Sequence, residues 1–230
     1  MGWFKNAFSG TIGRKIIMTL SGLFLILFLL GHLAGNLQLI FSDAQAFNLY
    51  AKFMTTNPAV KLLSYVTYLS IFFHAVYGLI IGIQNKKARP VGYAVNKPSA
   101  NSTWSSRNMG ILGTIILVFI VVHMQDFWYE YKFDMQPTAT YVIDGVTQAP
   151  MKDLHMEVME AFEQGWYVAL YVLSMVAVGF HLYHGFQSSF QTLGLRHPKY
   201  TPFVKALGTG FSIIVPALFA WIPLYIYFFK

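Results

Sequence analysis

Five long apolar runs dominate this chain, at residues 16–41, 60–84, 108–130, 163–191 and 203–229. Each is long enough to cross a hydrocarbon core of roughly 30 Å at about 1.5 Å per helical residue. In lipid a backbone must satisfy its own hydrogen bonds, which leaves helices or closed barrels. Runs of this length read as helices. The expected fold is therefore an all-α integral membrane protein, one membrane domain over 1–230 with five transmembrane helices. Composition agrees, at 56% hydrophobic and 11% charged residues, where soluble domains carry about 25% charged. The chain has no cysteine, which excludes disulfides, thiolate metal sites, iron–sulfur ligation and cysteine nucleophiles. The first run follows Lys5, Arg14 and Lys15 but is too long for a signal peptide and lacks a small-residue cleavage site, so it is expected to remain in the mature chain.

Charge orients the helices, because short cytoplasmic connections collect Lys and Arg. The N-terminal segment, the connection from Lys86 to Arg107 and the connection from Arg196 to Lys205 hold eleven of the sixteen basic residues and no acid. All nine acids lie in the other connections and helix ends, from Asp43 through Asp126, Glu130 and Asp134 to Glu163. The N-terminus is expected on the cytoplasmic side and the C-terminus outside. The net charge of +7 is a topology signal, without the basic–aromatic surface of a nucleic-acid binder. The segment Arg89–Ser106, with Pro90 and Pro98, reads as a polar loop. In the longest connection, residues 131–162, Asp144-Gly145 inside Val142–Thr147 marks a hairpin. Met151, Leu154, Val158 and Phe162 then recur at spacings of three and four, the pattern of a short amphipathic helix on the outer interface. Trp3, Trp104, Trp128 and Trp166 read as an interfacial aromatic belt, and most Met and aromatic residues as packing or lipid-facing material.

Ionisable side chains inside a span are costly and usually functional. Five of the seven histidines lie in apolar runs: His32, His74, His123, His181 and His184. His32 follows Lys15 by 17 residues and His123 follows Arg107 by 16, which puts both roughly 25 Å from the cytoplasmic edge at about 1.5 Å per residue. His74 precedes Lys86 by 12 residues, and His181 and His184 precede Gly194 by 13 and 10, roughly 15–20 Å deep. Four helices thus bring imidazoles to two levels, which fits two bis-histidine haems in a four-helix bundle formed by the first four helices. Glycines near these positions (Gly31, Gly35, Gly78, Gly82, Gly110, Gly113, Gly179 and Gly185) allow close approach of a backbone or a flat macrocycle. A lone intramembrane histidine often only bonds a neighbouring helix, and a haem-free transporter is the competing class. The paired broken helices and internal symmetry of transporters are not apparent.

Several stretches resemble the membrane cytochrome b subunit of succinate dehydrogenase and fumarate reductase, in the class with a single five-helix anchor and two b haems. They are Ser21-Gly22 with His32 ten residues on; Phe73-His74-Ala75-Val76-Tyr77-Gly78-Leu79; Arg107-Asn108-Met109 leading to His123; and His181-Leu182-Tyr183-His184-Gly185-Phe186 continuing through Ser189 to Gly194. The resemblance covers all five helices. It implies His32 and His123 as ligands of the distal haem iron and His74 and His181 of the proximal one, a pairing the depth count gives independently. His184 is then a propionate partner or an alternative ligand. His155 is taken as non-ligating, and His197-Pro198-Lys199-Tyr200 as either a docking contact or an ordinary solvated loop.

The family further implies a flavoprotein subunit and an iron–sulfur subunit docked on the cytoplasmic face, with electrons passed to quinone, menaquinone by resemblance, in a bacterial cytoplasmic (inner) membrane. No dicarboxylate chemistry would occur on this chain. Two-haem relatives use a Glu between the first and second helices for quinone protons; here that connection offers only Asp43, so Asp43, Asp126 and Glu130 are the proton candidates. Ser21, Thr67, Ser70 and Thr114 are available to bond the imidazoles' second nitrogens. A di-haem cytochrome b of a hydrogenase or formate dehydrogenase is the alternative within the electron-transfer class.

Overall fold

The computed structural model describes residues 2, 10–91, 97–133 and 135–230. Trp3, Lys5 and Asp134, read above as belt and topology residues, lie outside these. Among the described residues, five helices are long and apolar enough to cross a membrane: Thr11–Phe41, Pro58–Lys87, Met109–Lys132, Gly165–Thr192 and Thr201–Phe229. The chain is an all-α membrane protein. Its helices are α1 (Thr11–Asn36), α2 (Gln38–Phe41), α3 (Ala44–Thr56), α4 (Pro58–Lys87), α5 (Pro98–Asn101), α6 (Trp104–Arg107), α7 (Met109–His123), α8 (Glu130–Lys132), α9 (Leu154–Phe162), α10 (Gly165–Thr192) and α11 (Thr201–Phe229). A π-helical turn, Met124–Tyr129, joins α7 to α8.

Local chemistry fixes the ends. Asn57 accepts from the backbone amides of Ala59 (2.9 Å) and Val60 (3.3 Å), and Pro58, whose missing N–H costs nothing at a first helical position, opens α4. Lys86 and Lys87 close it, where cations complement the helix dipole. Gly194, at φ +71°, ends α10 with Leu195 N–H on Phe190 O (2.9 Å) and Gly194 N–H on Gln191 O (3.1 Å), a left-handed stop that glycine adopts without penalty. Pro216 and Pro223 lie inside α11, tolerable where a neighbouring helix packs over the freed carbonyls.

Two compact units divide the chain: Met1–Phe28 with Val66–Leu117 and Ala177–Ile214, and Leu29–Tyr65 with Val118–Val176 and Val215–Lys230. The first unit holds α5 and α6, short helices in the stretch read from sequence as a polar loop. Thr103 caps α6 by accepting from Ser106 N–H at 3.2 Å, which is how Ser- and Thr-rich sequence becomes helix start rather than coil.

The second unit holds α3, a helix that the sequence reading left as a connection. Asp43 caps it by accepting from Ala46 N–H at 2.8 Å. β1 (Thr138–Ala139) pairs with β4 (Met151–Lys152), and β2 (Val142–Ile143) with β3 (Val146–Thr147), both antiparallel. The expected hairpin turns at Asp144 (φ 51°) and Gly145 (φ 77°), the two left-handed positions such a two-residue turn requires. The helix expected from residue 151 begins at Leu154, capped by Asp153. Its buried positions are Val158 and Phe162, and it packs on α3 and the π turn. Val158 and Phe162 on its apolar face are thus packed against protein. Asn48 on α3, 1% exposed, ties this lobe down. Its amide donates to Tyr141 Oη and Asp153 Oδ1, each at 2.7 Å, and its carbonyl accepts from His155 N–H at 3.0 Å.

Candidate functional site

In the first unit, α4 and α10 bring His74 and His181 together, with ring centroids 6.0 Å apart and planes at 64°. His74 Nδ1 lies 3.0 Å from Met18 O on α1. A carbonyl only accepts, so Nδ1 carries the proton and Nε2 keeps its lone pair. Ser21 Oγ stands 3.4 Å from the same nitrogen while donating to Ile17 O at 2.8 Å. A Cβ on Gly22 would meet His74 Cε1 at 3.0 Å. The glycine is what lets the imidazole lie against α1. His181 Nδ1 is buried and has no hydrogen-bond partner among the described residues.

In the second unit, α1 and α7 bring His32 and His123 together, with centroids 5.8 Å apart and planes at 84°. Phe219 lies 5.7 Å from the His32 ring, and Phe119 and Phe127 lie 5.7 and 5.5 Å from the His123 ring. His32 has Asn36 Nδ2 at 3.4 Å from its Nδ1, the same amide donating to His32 O at 2.8 Å. His123 Nδ1 meets Tyr171 Oη at 2.9 Å, and Tyr171 Oη meets Tyr167 Oη at 3.1 Å. Tyr167 Oη donates to Asp126 Oδ2 at 2.6 Å. The π turn opens directly after His123 and contains Asp126. Such widened turns recur at functional positions of long helices.

The residues present fit a haem. Two imidazoles on opposite sides of one metal ion, at about 2 Å per bond, hold their centroids roughly 6 Å apart. Both pairs have that separation. His74 with His181, and His32 with His123, would be the residues to hold such a group. Among the described residues the buried His181 Nδ1 lacks a partner, a state that costs about 1–3 kcal/mol.

The remaining candidates are dispersed. His184 lines a cleft of about 200 Å³ with Gln187, Arg196 and Lys205 and does not join the His74–His181 ring contact. His155, on α9, lies 6.0 Å from the Phe47 ring, and burial holds its imidazole below the usual range. His197 stacks on Tyr200 at 5.2 Å, and its Nδ1 accepts from Lys199 N–H at 3.2 Å. Asp43 is engaged as the cap of α3. Glu130 adjoins Glu157, whose carboxyl is pushed above the usual range by burial and then by Glu130, Glu160 and Asp126.

Sequence reasoning missed Met18, Tyr167 and Tyr171. A backbone carbonyl carries no residue signature. The tyrosines were legible only as an i, i+4 pair, which places two hydroxyls on one helix face. The glycines divide: Gly35 accommodates Tyr50, whose Oη would be 2.6 Å from an added Cβ, and Gly113 has His181 Cε1 at 3.9 Å, whereas Gly31, Gly78, Gly82, Gly110 and Gly185 meet nothing within 4 Å. Thr114, one of the hydroxyls available to an imidazole, donates instead to Gly110 O at 2.9 Å. Compared with protein families, curated proteins and solved structures, the chain finds no match.

Proposed function

We propose that this chain is the di-haem cytochrome b membrane anchor of a succinate:quinone or fumarate reductase complex, passing electrons between an iron–sulfur subunit and membrane quinone. The observation that carries the reading is the pairing of four intramembrane histidines from four helices into two pairs about 6 Å apart. His74 and His181 would hold the proximal haem iron, His32 and His123 the distal one. Bound there, each haem supplies one-electron transfer.

The chain's own residues hold and tune. Met18 O orients the His74 ring and leaves Nε2 to a metal, and a hydrogen-bonded outer nitrogen raises ligand basicity. The aromatic shell of Phe119, Phe127 and Phe219 excludes water and lowers the local dielectric around the second pair. The basic connections would lie on the cytoplasmic face of a bacterial inner membrane, with the N-terminus inside and the C-terminus outside, and complementary charge there would orient the docking of the iron–sulfur and flavoprotein subunits. Quinone, menaquinone on the family pattern, would draw protons from the outer acids, Glu130 and Glu157 being a closely spaced pair whose shared charge is costly.

A reduced-minus-oxidised spectrum of the purified full chain, with haem and protein quantified together, tests the reading. Two b haems per chain are expected, falling to one in His181→Ala and staying at two in His184→Ala. Absence of haem from the folded, membrane-inserted chain overturns it. Co-purification with a flavin-bearing partner, rather than a nickel or molybdenum protein, tests the assignment to a succinate or fumarate complex.

A further inference from the structure

Asp126 and His123 are joined by two tyrosine hydroxyls, and the polarity of that chain is fixed by counting protons. An ionised carboxylate only accepts. Tyr167 spends its single hydroxyl proton on Asp126 Oδ2 at 2.6 Å, so at its 3.1 Å contact with Tyr171 it must accept. Tyr171 thereby spends its own proton on Tyr167. At the 2.9 Å contact between Tyr171 Oη and His123 Nδ1, the hydroxyl has only a lone pair left, and the ring nitrogen must be the donor. One consistent arrangement results: His123 Nδ1–H to Tyr171, Tyr171 to Tyr167, Tyr167 to Asp126.

We infer that Asp126, acting through Tyr167 and Tyr171, is a positioning residue that sets the tautomer and the basicity of His123, leaving Nε2 as the metal-facing nitrogen and adding negative charge to the imidazole. A carboxylate bonded directly to a metal-ligating histidine is a common device for fixing tautomer and raising basicity; here the carboxylate acts across two hydroxyls. Three features support a built arrangement. Tyr167 and Tyr171 are 3% and 7% exposed, so water competes little for their hydroxyls. They stand one helical turn apart, so a single face of α10 carries both. Asp126 lies in the π turn that starts immediately after His123, so one irregular turn presents both ends of the chain to that face. Glu130, Glu157 and Glu160 lie in the same acidic neighbourhood as Asp126 and add to the negative charge there. The neutral Met18 carbonyl bonded to His74 supplies no such charge.

The inference rests on the haem reading for its effect on potential but not for its effect on the tautomer. Two measurements on the full chain in lipid nanodiscs separate these. In an optical redox titration, Asp126→Asn and Tyr171→Phe should each raise the potential of one b component and leave the other in place, at unchanged haem content. The expected size is about a tenfold change in the reduced-to-oxidised ratio at fixed potential, or about 59 mV for one electron. Tyr171→Phe retains the carboxylate's charge, so its shift reports the hydrogen-bonded link and not the through-space field. The double variant should shift no further than the larger single one, as expected for one unit. If neither substitution moves either component, the inference is overturned. If the wild type carries no haem, the functional reading fails, and 15N resonances of selectively labelled histidine then decide: a His123 Nδ1–H tautomer that loses its preference in Asp126→Asn upholds the inference, and an unchanged tautomer sinks it.

Discussion

The two histidine pairs are alike in ring separation and unlike in what stands behind them. In the first unit His74 leans on a neutral backbone carbonyl of α1 and His181 keeps a buried nitrogen without a partner. In the second, His123 donates into a chain that ends on a carboxylate. The same ligand type is thus given two electronic settings, because ligand basicity follows the partner of the outer nitrogen. On the proposed di-haem reading, the pair backed by Asp126 would hold the lower-potential haem, and two unlike centres would give electrons a preferred order.

The comparison breaks most visibly if the pairs are not independent. His74→Ala or His181→Ala is expected to remove one b band, and His32→Ala or His123→Ala the other, each halving haem per chain; simultaneous loss of both bands in any single variant would show one shared site. Next in size is Asn48→Ala, which strips the second unit's lobe around residues 138–162 of three hydrogen bonds. It should cost roughly 3 kcal/mol, since Asp153, Tyr141 and the His155 amide lose a partner. Hydrogen exchange should speed up across residues 138–155 while amides of α4 near His74 keep their protection. Uniform deprotection would mean that the units do not respond separately.

Gly22→Val sharpens the comparison from the other side. An added Cβ would lie 3.0 Å from His74 Cε1, and overpacking of this kind costs about 1–3 kcal/mol. The band of the first pair should broaden or weaken while the second is unmoved. The smallest effect concerns Glu157, whose carboxyl holds its proton more tightly folded than unfolded because of burial and the acids around it. Its contribution to stability is therefore full below the ordinary carboxylate range and is lost as pH rises through the raised value. Glu157→Gln should stabilise the second unit modestly near neutral pH and have no benefit in acid, read as a pH-dependent difference in thermal unfolding. A benefit independent of pH would remove Glu157's charge from the account.

Much of this protein was legible in its sequence because bilayer thickness translates directly into run length, and because imidazoles are rare in an apolar run. The five spans, the Asp144-Gly145 turn and the set of histidines follow from those two facts. Their pairing by depth also agrees with the ring contacts, since rise per residue is the same in every helix. The helix at Ala44–Thr56 was not legible. Its sequence is only moderately apolar, and what makes it a helix is the Asp43 cap and burial of Phe47, Asn48 and Ala51. The apolar stripe of α9 was visible in the spacing of Leu154, Val158 and Phe162, but its contact with α3 was not, because periodicity does not name the surface a face packs on.

The sequence by itself determined that this chain fills a membrane with helices and places imidazoles at particular heights along them. Only the tertiary structure decided which nitrogen of His74 and of His123 is engaged. That choice depends on a carbonyl at Met18, a missing Cβ at Gly22 and two hydroxyls at Tyr167 and Tyr171. The physical reason is range: hydrophobic length acts over tens of ångströms and survives in a one-dimensional pattern, whereas a proton's position is settled within about 3 Å, by groups brought together from helices far apart in the chain.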